Sequence, residues 1–130
     1  MLAITGQGGQ SLALDLKDMT EWCLHWQHSV TGGDVTDCFR IDDGRLVLTR
    51  SFLHDPAAAG LGEVPGRGRL IRSPGGGEWI VDIDEPMPRN RVFVRIGGAA
   101  INHRLTYGGE TLNLSRIFAG ERVTISLPGG

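Results

Sequence analysis

Hydrophobic and polar residues alternate along much of the chain, and the alternation is clearest between residues 20 and 53. In the first part of this stretch the even positions hold the larger apolar side chains, while the odd positions are mostly polar. The even positions are Trp22, Leu24, Trp26, His28 and Val30, and the odd positions are Cys23, His25, Gln27 and Ser29. Because successive side chains of a β-strand point to opposite faces, this pattern predicts a strand whose even positions face the core.

Turn-forming residues separate short stretches of this kind at intervals of about eight to twelve residues, which is typical of antiparallel β-domains. Asp43-Gly44 and Gly108-Gly109 are examples, because such pairs adopt the positive φ angles of two-residue hairpin turns. The stretch from Leu53 to Gly68 is a long loop rich in Ala, Gly and Pro. The pattern predicts about ten strands, near residues 11–17, 20–30, 35–42, 45–53, 68–73, 78–84, 90–97, 101–107, 110–114 and 122–128.

The composition indicates the same fold class. The chain has 130 residues, of which 40% are hydrophobic, and its 20 glycines suit a fold with many tight turns. This length fits one domain around one core. We therefore expect residues 1–130 to form a single antiparallel β-domain, either a sandwich or a partly closed barrel.

The charge of the chain argues against a nucleic-acid partner. The formal net charge is −2 and the basic residues are scattered, whereas a nucleic-acid surface needs a basic stripe. No stretch approaches the roughly 20 apolar residues of a membrane-spanning helix. The opening sequence also lacks the basic and apolar segments of a signal peptide. We expect a cytoplasmic protein if Met1 is the native start, and a periplasmic one if a leader has been removed.

Hairpin geometry brings three polar residues together on the predicted inner face. A four-residue loop at 31–34 pairs His28 with Asp37, and the turn at Asp43-Gly44 pairs Asp37 with Arg50. Cross-strand neighbours have Cβ atoms about 5 Å apart, so these side chains would be in contact. Asp37 would then accept hydrogen bonds from both neighbours.

The same register separates the two cysteines. Cys38 falls opposite Gln27, which is four residues from Cys23, or roughly 13 Å along the strand. A Cys23–Cys38 disulfide is therefore not expected, and both thiols should face outward.

The inward cluster of His28, Asp37 and Arg50 has two interpretations. It is either a buried polar ladder that fixes the strand pairing, or the floor of a pocket for a small anionic or polar ligand. His103 is a fourth candidate, because it alternates with apolar residues on another predicted inward face. A serine triad is disfavoured, because Ser29 and His28 point to opposite faces of the strand. The sequence does not show whether His28, His54 and His103 converge, and no metal or other cofactor is expected.

Several short motifs resemble a known family. They are the run Trp26-Gln27-His28-Ser29-Val30, the acid Asp37, the run Gly44-Arg45-Leu46-Val47-Leu48 and the stretch from Arg91 to Gly109. Over about residues 12–127 the chain is similar to the bacterial family called domain of unknown function 1850. Members typically have Glu where Asp37 stands, and Gly-Ala-Gly where this chain has Ala58-Ala59-Gly60.

The resemblance implies a small β-rich domain, often with a hydrophobic leader, encoded beside tripartite periplasmic solute transporters. It implies no biochemical activity. We expect a non-enzymatic binding or accessory module linked to solute transport, with a small anionic or polar ligand and a protein partner such as a transporter component. The alternative is a small-ligand or metal-dependent enzyme that uses the four candidates, which are His28, Asp37, Arg50 and His103.

Overall fold

A computed structural model describes residues 1–54 and 68–128, which are built mainly of β-strands. The strands are β1 (Leu2–Gly6), β2 (Ser11–Leu14), β3 (Glu21–Gln27), β4 (Asp34–Asp42), β5 (Arg45–Leu53), β6 (Arg69–Arg72), β7 (Glu78–Val81), β8 (Glu85–Pro86), β9 (Arg91–Arg95), β10 (Arg104–Tyr107), β11 (Glu110–Asn113) and β12 (Arg122–Ser126). One helix, α1 (Leu114–Phe118), and a 3-10 turn at Pro88–Asn90 complete these ranges. No helix within them is long and apolar enough to cross a membrane. The predicted loop between Leu53 and Gly68 lies mostly outside the described residues.

The strands form two antiparallel sheets, and in the described ranges neither closes into a barrel. The smaller sheet has the order β2-β1-β12-β9. The larger sheet has the order β11-β10-β3-β4-β5-β7-β6. The short strand β8 also belongs to this sheet and pairs with β5 at Val47 and Leu48. The prediction of an all-β sandwich is therefore confirmed, whereas β1 was not among the predicted strands.

The core lies between the two sheets. Fully or almost fully buried side chains come from both of them, and α1 adds Leu114 and Phe118. Trp22 and Phe39 stack with ring centroids 4.6 Å apart. The smaller sheet contributes Leu2, Ile4, Val123 and Ile125, and the larger sheet contributes Trp22, Leu24, Phe39, Leu46 and Leu105. The even positions of β3 thus face the core, as the alternation predicts.

The pairing of β3 with β4 differs from the predicted register by four residues. Asp37 pairs with Leu24 rather than with His28, and Trp26 pairs with Val35. His28 lies beyond the end of β3, where its N–H donates to the carbonyl of Gly33 at 2.8 Å in the hairpin loop. An even shift keeps every side chain on its face, so hydrophobic alternation does not distinguish the two registers. The predicted contact between His28 and Asp37 is therefore wrong.

A β-bulge in β5 overturns the predicted pairing of Asp37 with Arg50. Cys38 pairs with Arg50 but Phe39 pairs with Leu48, which leaves Thr49 as an extra residue. The Thr49 hydroxyl donates to the Cys38 carbonyl at 3.1 Å. Relative to the unbroken alternation that the sequence predicts, one extra residue reverses the faces of the residues that follow it. Arg50 therefore lies on the outer face of the larger sheet.

Cys23 and Cys38 form a disulfide bond, which corrects the expectation of two free outward thiols. They are direct partners in the register of β3 and β4, with Cα atoms 4.1 Å apart. The error has the same origin as the register error, because the predicted pairing placed Gln27 opposite Cys38. The disulfide lies on the outer face of the larger sheet, the face that does not contact the core.

Candidate functional site

The outer face of the larger sheet carries two adjacent rows of side chains. Residues two apart on a strand share a face, so the register fixes which side chains are neighbours. One row is Thr106, Cys23, Cys38 and Arg50, on β10, β3, β4 and β5. The next row is Arg104, His25, Thr36, Phe52 and Trp79, which extends across β7.

A cleft of about 350 Å³ opens over the second row, and we call it the outer cleft. Its volume falls in the range of about 300–1,000 Å³ that small-molecule sites occupy. Cationic, acidic, hydroxyl and aromatic groups are all present in its lining. The lining residues are His25, Asp34, Val35, Thr36, Phe52, Ser73, Trp79 and Arg104.

His25 forms part of the floor of the outer cleft and is held at both ring nitrogens. Its Nδ1 lies 2.9 Å from the Thr36 hydroxyl, and its Nε2 lies 2.7 Å from the Thr106 hydroxyl. Burial, and then the positive charge of Arg104, lower the pKa of His25 below the ordinary 6.5. The ring is therefore neutral at pH 7, with one nitrogen donating and the other accepting.

Arg104 lies beside His25 on the neighbouring strand. Its Nε donates to the Asn102 carbonyl at 3.1 Å, and its Nη2 donates to the Gln27 side-chain oxygen at 3.3 Å. The Gln27 amide nitrogen in turn donates to the Asp34 carboxylate at 2.8 Å. The Gln27 amide thus stands between a cation and an anion. Within residues 1–54 and 68–128, no carboxylate forms a salt bridge with Arg104.

Aromatic side chains form the opposite end of the outer cleft. The rings of Phe52 and Trp79 are tilted, with centroids 5.1 Å apart. The Arg50 guanidinium lies 4.8 Å from the Trp79 centroid, and its Nη2 lies 3.0 Å from a Glu21 carboxylate oxygen. Glu21 therefore neutralises Arg50. The parts of Phe52 and Trp79 that line the outer cleft supply an apolar wall, and Arg50 contacts the Trp79 ring.

The structure places the predicted site residues in separate environments. The Nδ1 of His28 accepts a hydrogen bond from the Val30 N–H at 3.1 Å within its own loop. Asp37 faces the core side of the larger sheet, where its carboxylate accepts a hydrogen bond from the Ser51 hydroxyl at 2.7 Å. Burial raises the pKa of Asp37 above the ordinary 3.8, an effect that the Ser51 hydrogen bond partly offsets.

The remaining two predicted residues are on different sides of the larger sheet. Arg50 is on the outer face, so Asp37 and Arg50 cannot form the predicted contact. His103 is 5% exposed, stacks on Trp26 at 5.4 Å and accepts a hydrogen bond from the Gly97 N–H at 3.0 Å. Burial lowers the pKa of His103 below the ordinary 6.5. His28, Asp37 and Arg50 are therefore not brought together.

The histidines do not form a cluster of potential metal ligands in the part of the chain that the structure describes. There, the residues with three such atoms within 4.8 Å of one another are Glu21, Cys23 and Cys38. The two sulfur atoms of this set are joined in the disulfide, so they are not thiolate ligands.

Sequence reasoning missed His25, Arg104 and Trp79 as site residues. The alternation predicts that His25 faces outward, and the structure confirms this. Trp79 is the partner of Phe52 in the register of β5 and β7, and it lies with Phe52 on the outer face. A signal was present in β3, because Cys23 shares the outward set with His25 and cysteine is among the residue types most often buried.

The fold and the cleft together define an antiparallel β-sandwich with a polar and aromatic cleft on the outer face of its larger sheet. The family described as domain of unknown function (DUF1850) matches residues 23–114, and the chain belongs to this family. The matched range includes all the residues that line the outer cleft. No curated protein and no solved structure matches the chain.

Proposed function

We propose that this protein is a non-enzymatic binding module that holds a small organic carboxylate in the outer cleft. The observation that carries the proposal is Arg104, a cation that borders a cleft and lacks a salt-bridge partner among the described residues. Arginine binds carboxylates through paired N–H donors. The Nε and Nη2 of Arg104 make the protein contacts, which leaves the Nη1 side of the guanidinium for a ligand.

The other lining residues restrict the charge and shape of the ligand. Asp34 carries a carboxylate close to the Gln27 amide, so it would repel phosphate and other multiply charged anions. A single carboxylate at Arg104 brings one negative charge near Asp34, so the repulsion is weaker than for a multiply charged anion. Phe52 and Trp79 then offer an apolar surface to the body of the ligand at the other end.

Neutral His25 supports binding rather than proton transfer. Both of its ring nitrogens lie within hydrogen-bond distance of threonine hydroxyls, so neither is free to take a proton from a substrate. The alternative of an enzyme built on His28, Asp37, Arg50 and His103 has less support. Its central contact is between Asp37 and Arg50, which lie on opposite faces.

An oxidising compartment such as the bacterial periplasm is part of the proposal. The Cys23–Cys38 disulfide supports it, because such bonds persist outside the reducing cytosol. A binding module in that compartment suits the proposed role as an accessory to solute transport, in which a transporter component is the protein partner.

Calorimetric titration of the purified protein tests the ligand chemistry. The probes are benzoate and hexanoate, with benzamide as the uncharged match for benzoate and inorganic phosphate as the multiply charged anion. We expect heat of binding for the two carboxylates and none for benzamide or phosphate. Arg104→Gln should weaken carboxylate binding at least about tenfold.

Arg45→Gln is the matched control, because Arg45 is an exposed arginine at the start of β5 and does not line the outer cleft. It should leave the affinity unchanged, and Trp79→Ala should weaken hexanoate binding. Equal affinity for benzoate in the Arg104 and Arg45 variants would overturn the proposal. Failure of both carboxylates to bind the wild-type protein would do the same.

A further inference from the structure

β9 forms one edge of the smaller sheet, and its backbone has a free side. In the ranges that the structure describes, β12 is the one strand paired with it. The Ile96 N–H donates to the Glu121 carbonyl at 2.9 Å, and the Leu127 N–H donates to the Asn90 carbonyl at 3.1 Å. Antiparallel hydrogen bonding alternates along a strand, so the even residues of β9 point their backbone groups toward β12. Phe93 and Arg95 therefore direct their N–H and C=O groups to the free edge.

The side chains on this edge combine an aromatic ring with positive charge. Phe93 is 64% exposed, which is unusual for a phenylalanine. Arg91 and Arg95 flank it on the same face, and Arg122 lies opposite Arg95 on β12. We call these four residues the β9 patch.

No acidic residue lies in the four strands of the smaller sheet. The nearby Glu121 lies just before β12, and its carboxylate accepts a hydrogen bond from the Gly8 N–H at 2.7 Å. The arginines of the β9 patch form no salt bridge with any described residue. The chain as a whole has a net charge of −2, so the patch concentrates positive charge against the overall balance.

We propose that the β9 patch docks an extended acidic segment of a partner protein, which adds to the smaller sheet as a strand beside β9. The free N–H and C=O groups of Phe93 and Arg95 would bond the backbone of the incoming segment. Carboxylates four residues apart in the segment would face Arg91 and Arg95, and Arg122 adds positive charge one strand farther away on β12. An apolar side chain between them would cover Phe93.

The patch disfavours a second copy of this chain. Antiparallel pairing of two β9 strands about Phe93 would place Arg91 of one copy against Arg95 of the other, and like charges in direct opposition repel. Charged residues also protect sheet edges from aggregation, but protection gives no reason for an exposed Phe93 between them. A membrane surface would satisfy the charge but offers no regular row of backbone donors and acceptors.

The test uses a labelled Glu/Val peptide that repeats Glu-Thr-Val-Thr, so that Glu and Val alternate along one face of the strand, titrated into the full chain at low ionic strength. The matched peptides have Lys in place of Glu, or Pro in place of the Val residues, which keeps the charge and removes backbone donors. We expect binding of the Glu/Val peptide alone, with slower amide exchange at Phe93 and Arg95. The double variant Arg91→Glu/Arg95→Glu should weaken this binding about tenfold or more.

The control variant is Arg40→Glu/Arg45→Glu, which makes the same charge change on exposed residues of the larger sheet. It should leave peptide binding unchanged, and Phe93→Ala should weaken peptide binding without altering the melting temperature.

Equal binding of the proline peptide would overturn strand addition. Binding to phosphatidylglycerol vesicles without binding to the peptide would favour a membrane surface, and a dimer in sedimentation that the Arg91/Arg95 variant abolishes would favour a second copy. Either result would overturn the proposal.

Discussion

The sulfur atoms of Cys23 and Cys38 are bonded across β3 and β4, one cross-strand pair away from the floor of the outer cleft. The next pair on the same face is His25 and Thr36, whose side chains are 2.9 Å apart. The disulfide thus fixes the spacing of the two strands beside the residues that orient His25.

Removal of the disulfide should destabilise the protein substantially. The cysteines are separated by 15 residues, and a crosslink over a loop of this length restricts the unfolded chain by about 3 kcal/mol. We expect Cys23→Ala/Cys38→Ala to lower the free energy of unfolding in urea by about that amount. Dithiothreitol should destabilise the wild-type protein and leave the double variant unchanged. Equal sensitivity of both proteins to the reductant would contradict the assignment of the bond.

Asp37 should make the protein less stable as the pH rises above about 3.8, the ordinary pKa of an aspartate. Burial raises the pKa of Asp37 above 3.8, so between 3.8 and the raised value the folded protein holds a proton that the unfolded chain has lost. The free energy of unfolding should therefore fall as the pH rises through this window.

Asp37→Asn should remove this component of the pH dependence and raise the stability at pH 7. Asparagine keeps an oxygen that can accept the Ser51 hydroxyl hydrogen bond, and Arg50 does not depend on Asp37 because it pairs with Glu21. Urea unfolding at several pH values checks both effects. Ser51→Ala is the control for the hydrogen bond itself and should cost about 1 kcal/mol. Lower stability of Asp37→Asn at pH 7 would show that the carboxylate is needed in its charged form.

His25 should contribute a loss of stability on acidification. Its pKa is lowered from 6.5 in the folded protein, so below pH 6.5 the unfolded chain binds protons more readily. The free energy of unfolding should fall as the pH decreases from 6.5 toward the lowered value. His25→Gln should reduce this slope, and the part that remains includes His103, whose pKa is also lowered. Proton NMR titration of the His25 ring checks the assignment, and a midpoint at or above 6.5 would contradict it.

Gly77 supports the aromatic end of the outer cleft and should not tolerate a side chain. Its φ is +82°, and a Cβ there would lie 2.6 Å from the Phe52 ring and 2.8 Å from the His54 Cα. We expect Gly77→Ala to destabilise the protein by about 1–3 kcal/mol and to weaken hexanoate binding through movement of Phe52. Gly75→Ala in the same turn is the control, because no atom lies within 4 Å of a Cβ at that position. Equal melting temperatures for the two variants would contradict this expectation.

The fold class was predictable because alternation and turn residues act locally. The even positions of β3 face the core, and the predicted turn at Asp43-Gly44 joins β4 to β5, where Ile41 pairs with Leu46. The register of β3 on β4 was not predictable, because a shift of four residues buries the same side chains. The geometry of the loop that begins at His28 decides between these registers, and no pattern of apolar residues reports it.

The candidate site was predictable only in part, since it depends on pairing across five strands. Arg104 and Trp79 lie far from His25 in the sequence and join it only through the order of β10, β3, β4, β5 and β7. The disulfide was not predicted, because the predicted register placed Gln27 rather than Cys23 opposite Cys38. Residue chemistry alone indicated a His and Arg site for a small polar ligand, but at His28, Asp37 and Arg50, which the structure does not bring together.

The extra residue at Thr49 has a consequence for deletions in β5. If Thr49 kept its place in the alternation from Leu48, Arg50 and Phe52 would face the core and Ser51 would face the outer cleft. Because the bulge sets Thr49 aside, Arg50 and Phe52 instead take the faces that they would have if Arg50 followed Leu48 directly. Loss of the Thr49 codon should therefore remove the bulge and leave the aromatic wall of the outer cleft on the same face.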